Sequence, residues 1–350
     1  MATAQPNNRV IVYGYAASPF YQKITFLLDH YGVEWTLVDV PPVMPRPMLS
    51  KLLGITYRRI PVVFIDGQAY IDTTAASLAL ERAFGGASTN KSLLRQFPAL
   101  QMQLAVNWAE SSMFRLGAGH LYNAPLNETF VKDRKSFMPG SSFDSESMKA
   151  KVPFVRSQLT ANLEAIESHL KEQNGKFLFG DSIQYLDVSL YTPMNWVQTQ
   201  LRTGEDLLPT VSAKNPTQDW SKYPFPRTLT WMAAVREYLA QHKIKPVKLT
   251  AEQGAEVILK QAEQGSQQAE SALSISKDDA LVKAGWFSGE KGQTVSVTPV
   301  DTGRVPQVGQ LVGLDGASVT IKVKTEGGKS LLATFPRINF DIRAQDSAKL

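Results

Sequence analysis

The hydrophobic period changes twice along this chain of 350 residues, and those changes limit the fold more than any single motif does. Between residues 91 and 245 apolar side chains recur every three to four positions, and no stretch reads as a strand. Leu93, Leu94, Phe97, Leu100, Leu104 and Trp108 mark one long helix. Residues 153–172, with Phe154, Leu159, Leu163, Ile166 and Leu170 inward, mark a second. Pro125 and residues 139–147 interrupt between them. Further helices are expected after Gly180-Asp181 and over residues 227–241. From Gly292 the period becomes two. Residues 295–297, 308–314, 319–323, 331–335 and 338–342 give five strands, with Asp315-Gly316 as a hairpin turn. Five such strands suit a small barrel.

The first 86 residues mix both periods. Residues 9–13 read as a buried strand ending in Gly14. Ser18-Pro19 is a helix start: the serine oxygen caps free N–H groups, and proline at the first helical position loses nothing. Phe20, Ile24, Leu27, Leu28 and Tyr31 line one face of that helix, and Gly32 stops it. Residues 34–40 are β-rich. Residues 61–65 and 69–71 form a hairpin around Asp66-Gly67, and a helix runs from near Thr73 to Gly85. The order is β-α-β, a short helical segment, β-β-α. Gly85 opens a small polar linker to residue 90. Thr250 and Gln253 make a capping box for a helix over residues 251–264, expected to end at Gly265 before a polar, flexible stretch to residue 272. No internal repeat is present.

This length suits two or three domains. Cysteine is absent, which excludes disulfides, thiolate metal sites and a protein thiol nucleophile. The four histidines (His30, His120, His169, His242) have no metal-ligand spacing, so no metal is expected. The net charge of +5 is scattered and does not call for nucleic acid. No secretory signal opens the chain, and no run is apolar enough to span a membrane. A cytoplasmic location is expected.

Three short motifs, in order, resemble the glutathione transferase family. YGYAASPF over residues 13–20, with Lys23, is similar to the family's strand–loop–helix segment. Arg59-Ile60-Pro61 is similar to the basic residue, aliphatic residue and cis proline that precede a strand. Residues 66–73, DGQAYIDT, are similar to D-G-x-x-L-x-E-S, with Asp72-Thr73 for Glu-Ser. Gly180-Asp181, Asp187-Val188 and residues 130–134 extend the likeness into the helical region, although Gln184 stands where the family keeps a capping serine or threonine. Residues 42–47 and 53–57 resemble a fungal branch with an extra C-terminal domain. The resemblance covers residues 9–245. It implies a multidomain chain: a thioredoxin-like α/β glutathione-binding domain (residues 1–86) and an all-α substrate domain (91–245). A helical linker (246–285) and a small all-β, barrel-like domain (286–346) follow, outside the family pattern.

The resemblance also implies roles. Ser18 faces the glutathione sulfur, where helix N–H groups and a donating hydroxyl favour a thiolate; the plain alternative is an N-cap. Tyr13 is the rival, by analogy with tyrosine-type transferases. The Ile60 backbone beside a cis Pro61 pairs with the cysteinyl part of glutathione, a trans turn proline being the alternative. Asp72 and Thr73 hold the γ-glutamyl end, or Asp72 merely caps its helix. Arg59 holds the glycyl carboxylate, or is only a solvated charge. Trp108, Ser111, Phe114 and Arg115, with Met113, are candidates for the substrate pocket, or are core. His120 reads as a helix residue without a chemical role. The implied activity is delivery of the glutathione thiol to an electrophilic small molecule by conjugation, isomerisation or elimination, in a homodimer. A non-catalytic scaffold on the same fold, or an enzyme that dispenses with glutathione, stays open. Because the motif residues end at Thr73, removal of residues beyond 245 is expected to leave the glutathione site intact.

Overall fold

The structure is a computed structural model describing residues 9–86, 91–121, 126–138, 143–201, 206–209 and 219–345. Pro125, Pro139 and most of the expected polar linker at 85–90 lie outside these residues. The N-terminal unit has β1 (Val10–Gly14), α1 (Pro19–Tyr31), β2 (Thr36–Asp39), α2 (Pro47–Leu53), β3 (Val62–Ile65), β4 (Gln68–Ile71) and α3 (Thr73–Phe84). β1 pairs in parallel with β2 and antiparallel with β3, and β3 with β4 is the expected hairpin. Gly32 closes α1 at φ 70°, a left-handed conformation that suits a residue without a Cβ.

The helical region begins later than its pattern indicated. Leu93 is buried but lies in a loop whose carbonyl accepts from Tyr185 N. The helix opens at Pro98 as α4 (Pro98–Leu104), widens into a π-helical segment (Ala105–Met113) and continues as α5 (Phe114–Ala118). Then come α6 (Glu128–Phe137), α7 (Ser145–Ala150), α8 (Val152–Glu172), α9 (Tyr185–Trp196) and α10 (Pro226–Gln241). Phe154, expected inward, is 67% exposed, because the packed stripe of α8 starts only at Leu159. At the start of α9 the buried Asp187 accepts from Leu178 N, Gln184 N and Trp231 Nε1. Its carboxylate therefore takes over much of the fixing of that helix start which a capping hydroxyl would supply.

Beyond residue 245 the chain departs most from expectation. A short strand, β5 (Val247–Leu249), adds to the β2 edge. The capping box at Thr250 and Gln253 forms, but the helix it opens, α11 (Ala251–Ala272), passes through Gly265 without stopping. Near its end Glu270 accepts from Lys322 Nζ at 2.9 Å and, through its carbonyl, from Lys291 Nζ at 2.7 Å. Tertiary pairing thus holds as helix a stretch whose polar sequence read as flexible. Nor is α11 a linker: Ala255, Ile258 and Ala262 are buried against the sheet. A Cβ built on Gly254 would lie 2.6 Å from Val38 and 3.1 Å from the Tyr13 hydroxyl, so the missing side chain lets helix and sheet meet.

After α12 (Ala280–Lys283) come the expected five strands: β6 (Thr294–Pro299), β7 (Gln307–Leu314), β8 (Ser318–Lys324), β9 (Ser330–Pro336) and β10 (Phe340–Ala344). They form no separately closed barrel. β9 pairs in parallel with β4, and one sheet of ten strands runs β10-β6-β7-β8-β9-β4-β3-β1-β2-β5. The four N-terminal strands are thereby covered at both edges by later chain.

Two cores result. Val10, Val12, Val63 and Ile65 point to α1, α3 and the helical region. Ile11, Tyr13, Val62 and Phe64 point the other way, to α2, α11 and the appended strands. Strand alternation alone creates this division.

Candidate functional site

Register collects the motif residues. Tyr13, Val62 and Ile71 form one row across β1, β3 and β4. The chain leaves that row at Gly14, enters it from Pro61 and leaves it again at Asp72. The Ser18 loop, the Ile60–Pro61 peptide and Asp72-Thr73 therefore share one end of the sheet, together with the N-termini of α1 and α3. The Ile60–Pro61 bond is cis, as the resemblance implied. Among the described residues the Ile60 N–H and carbonyl have no backbone partner.

Ser18 is the N-cap of α1: its Oγ accepts from Tyr21 N at 3.3 Å, leaving its own proton free to donate. The side chain is buried. Tyr13 does not share this site. It faces α11, donates to the Ala251 carbonyl at 3.1 Å and packs edge-on to Phe64. Burial pushes its phenol well up, with Glu252 adding to the effect. Its role as a catalytic rival to Ser18 is corrected: alternation places it on the opposite sheet face from α1.

Asp72 caps α3 through Thr74 N at 3.0 Å, at φ 74°, an unusual value for a residue with a Cβ. Its other oxygen accepts from the Tyr57 hydroxyl at 3.2 Å and lies 3.6 Å from Arg59. Arg59 is far from a solvated charge. Its guanidinium lies over the rings of Tyr57 and Phe340, and one amino group meets both oxygens of Asp301 at 3.0 Å. Burial pulls the Arg59 pKa down, but Tyr57, Asp72 and Asp301 outweigh it and the net shift is upward.

Thr73 donates to Glu110 at 2.7 Å. Glu110, from the π-helical segment, pairs with Lys23 of α1, whose ammonium also reaches the Tyr185 hydroxyl at 2.6 Å and lies over that ring. Lys23 is 1% exposed. Burial alone would lower its pKa; Glu110 and Tyr185 reverse the sign, so it is held charged. This buried network ties the N-terminal unit to the helical one. Beside it is a cavity of about 10 Å³, lined by Pro19, Phe20, Lys23, Glu110, Phe114 and Ser189. That is about the space of one water molecule.

Of the pocket candidates, Phe114 lines this cavity, stacks on Trp196 and meets the Phe20 ring at a tilt. Trp108 instead donates to Asn162 of α8 at 2.6 Å, and exposed Arg115 turns back to the Ser111 carbonyl. Both lie on the helix that their spacing indicated. Met113 is core, and His120 bonds the Leu116 carbonyl with its pKa lowered by burial. Glu110, Tyr57, Tyr185 and Asp301 were not anticipated. Lys23 on the otherwise apolar face of α1 was the available signal for a buried partner; nothing in the sequence marked Asp301.

Family models for the glutathione S-transferase N-terminal domain and C-terminal domain match residues 12–88 and 130–234. The chain belongs to the glutathione S-transferase family. Among solved structures, a GST-like protein from Pseudomonas syringae is 19% identical with a TM-score of 0.65, over 96% of this chain and 99% of that one. At that identity the likeness concerns fold, and it extends across the appended strands. A tau class glutathione S-transferase from mango is 14% identical over 71% of this chain and 96% of its own, with a TM-score of 0.46. A beta-etherase from Sphingobium is 14% identical over 67% and 99%, also at 0.46. A search of curated proteins returns no match. Among the described residues no helix is long and apolar enough to cross a membrane, and no acidic, histidine or cysteine cluster is suited to a metal.

Proposed function

We propose that this transferase-family chain binds glutathione at the shared end of β1, β3 and β4 and presents its thiolate at the N-terminus of α1 to an electrophilic small molecule. The carrying observation is the unpartnered Ile60 backbone beside a cis proline, set between two helix N-termini. A free N–H and C=O on one residue seek partners, and an extended peptide supplies both. The α1 terminus favours an anion. Ser18, its lone pair already engaged by Tyr21 N, keeps a proton to donate to sulfur. Thr73, at the first turn of α3, offers its backbone N–H to a carboxylate, its hydroxyl proton being given to Glu110. Phe20 and Phe114 form the apolar wall on the side of the second substrate. A homodimer in the cytoplasm belongs to the same proposal.

A second reading, a binding protein on the same fold without catalysis, is favoured by one observation. Arg59 and Thr73 already bond partners within the chain. Titration calorimetry with glutathione separates the two: the first requires saturable binding, the second none. The mechanism rests on Ser18→Ala. A hydrogen bond to a charged group is worth about 1.5–3 kcal/mol, so conjugation should slow roughly ten- to a hundredfold. The pKa of bound glutathione should rise, with little loss of affinity. Loss of stability alone, without a shift in the pH–rate profile, would leave Ser18 as a cap.

A further inference from the structure

The contact between Arg59 and Asp301 bears on which thiols the site accepts, and so rests on the glutathione reading above. Asp301 belongs to the β6–β7 loop, far beyond the residues that the family models match. One terminal nitrogen of Arg59 is taken by both of its oxygens at 3.0 Å. The Arg59 Nε and its other terminal nitrogen are buried and lack a hydrogen-bond partner, with Asp72 at 3.6 Å from the latter. One guanidinium thus faces two carboxylates of the chain before any ligand arrives.

The loop holding Asp301 is built in. Val300 N donates to the Asn339 carbonyl at 3.0 Å, Gly303 N to the Phe137 carbonyl at 2.9 Å, and Thr56 Oγ1 to the Pro306 carbonyl at 2.9 Å. Gly303 has φ 61°, and a Cβ there would lie 2.7 Å from the Phe137 ring, so the loop sits directly on α6. The backbone is therefore anchored to three elements around the site. The Asp301 side chain is 51% exposed whereas that of Arg59 is 19% exposed. A carboxylate from solvent meets Asp301 first, and like charges brought together on one cation oppose binding.

We propose that Asp301 is a specificity residue: it fills the place of a ligand carboxylate on Arg59, so that the site favours thiol peptides whose end nearest Arg59 is uncharged. An arginine fork recognises carboxylates in matched geometry. With its charge met from within by Asp301 and Asp72, the guanidinium offers a second carboxylate little gain, and the two neighbours repel it. An ester or amide at the same end escapes the repulsion and keeps every other contact.

The test is calorimetric titration of the full chain and of Asp301→Asn with two probes, glutathione and its glycyl ethyl ester. Asparagine preserves shape and removes the charge, and thermal melting confirms that the variant is folded. The expected result is that the wild type binds the ester more tightly, and that Asp301→Asn raises the acid-to-ester affinity ratio by roughly tenfold or more, the scale of one charge-assisted hydrogen bond. Adding Arg59→Gln to Asp301→Asn should abolish the gain. A ratio that stays within about twofold between wild type and Asp301→Asn, with both probes bound, overturns this proposal alone. Binding of neither probe by either protein overturns the glutathione reading and this one with it.

Discussion

The two faces of the N-terminal sheet are built from the same four strands and differ in everything laid upon them. One face carries α1, α3 and the helical region, an arrangement whose elements lie close in sequence and whose motifs belong to the family pattern. The other carries α2, then α11 and the appended strands, which return from more than 200 residues away in the case of Tyr13 and Ala251. Polar chemistry follows the division. The first face meets its neighbours through a buried ion pair, Lys23 with Glu110. The second is joined by apolar packing, by strand pairing at β4–β9 and by neutral hydrogen bonds such as Tyr13 to the Ala251 carbonyl, with Arg59–Asp301 at its rim. The appended unit is therefore half of the N-terminal core's covering, and it reaches the candidate site as well.

Truncation after residue 245 breaks the comparison most severely. It uncovers Ile11, Tyr13, Val62 and Phe64 and both sheet edges, so the expected outcome is insoluble or unfolded protein, read by soluble yield and circular dichroism. A folded, glutathione-binding fragment would show that the second face stands without its cover. This replaces the expectation, drawn from motif positions alone, that the site survives such a cut. On the first side, Asp187→Ala leaves three buried donors, from Leu178, Gln184 and Trp231, without their acceptor. At about 1–3 kcal/mol for each unsatisfied group, the loss in denaturant unfolding should exceed 3 kcal/mol. A loss below about 1 kcal/mol would mean the carboxylate is not what fixes the start of α9.

A milder change sharpens the contrast. Tyr13→Phe removes one hydrogen bond to α11 and should cost about 1 kcal/mol in denaturant unfolding. Any effect on the pH–rate profile of conjugation would return Tyr13 to the catalytic account. An effect of similar size is expected in pH. Burial pushes the Asp29 carboxyl up to about 6, against the opposing bond from Ile244 N. The folded chain then holds this proton more tightly than the unfolded one, where aspartate ionises near 4. Its contribution to stability is complete below about pH 4 and is lost as pH rises to about 6. Asp29→Asn should flatten the stability profile in that window by about 1–2 kcal/mol, measured by urea midpoints from pH 4 to 7. An unchanged slope would assign the pH dependence elsewhere, Asp187 being the next group with a carboxyl pushed up to about 6 by burial.

Local signals carried well where a residue's conformation depends on near neighbours. Ser18-Pro19, Gly32, the β3–β4 hairpin and the capping box at Thr250 are all where their chemistry puts them. They failed where a distant partner decides. Gly265 did not stop α11, because Glu270 is paired with Lys322 across the gap to β8. Trp108 pairs with Asn162 and Arg115 with the Ser111 carbonyl, partners that their helical spacing did not mark. Lys23 was legible as an anomaly on an apolar stripe, but its partner Glu110 was not.

By itself, the sequence determined the order of elements, their caps and turns, the division of the chain into three compositional regions, and the family motifs that locate the candidate site. These depend on backbone preferences and on periods of two or 3.6, which act over a few residues. Only the tertiary structure decided that five C-terminal strands continue the N-terminal sheet, that α11 is core, and that Asp301 sits on Arg59. A strand's edge accepts any partner with the right register, and a guanidinium accepts any carboxylate within reach. Such pairings carry no local signature, so their physical determinant is proximity in the folded chain.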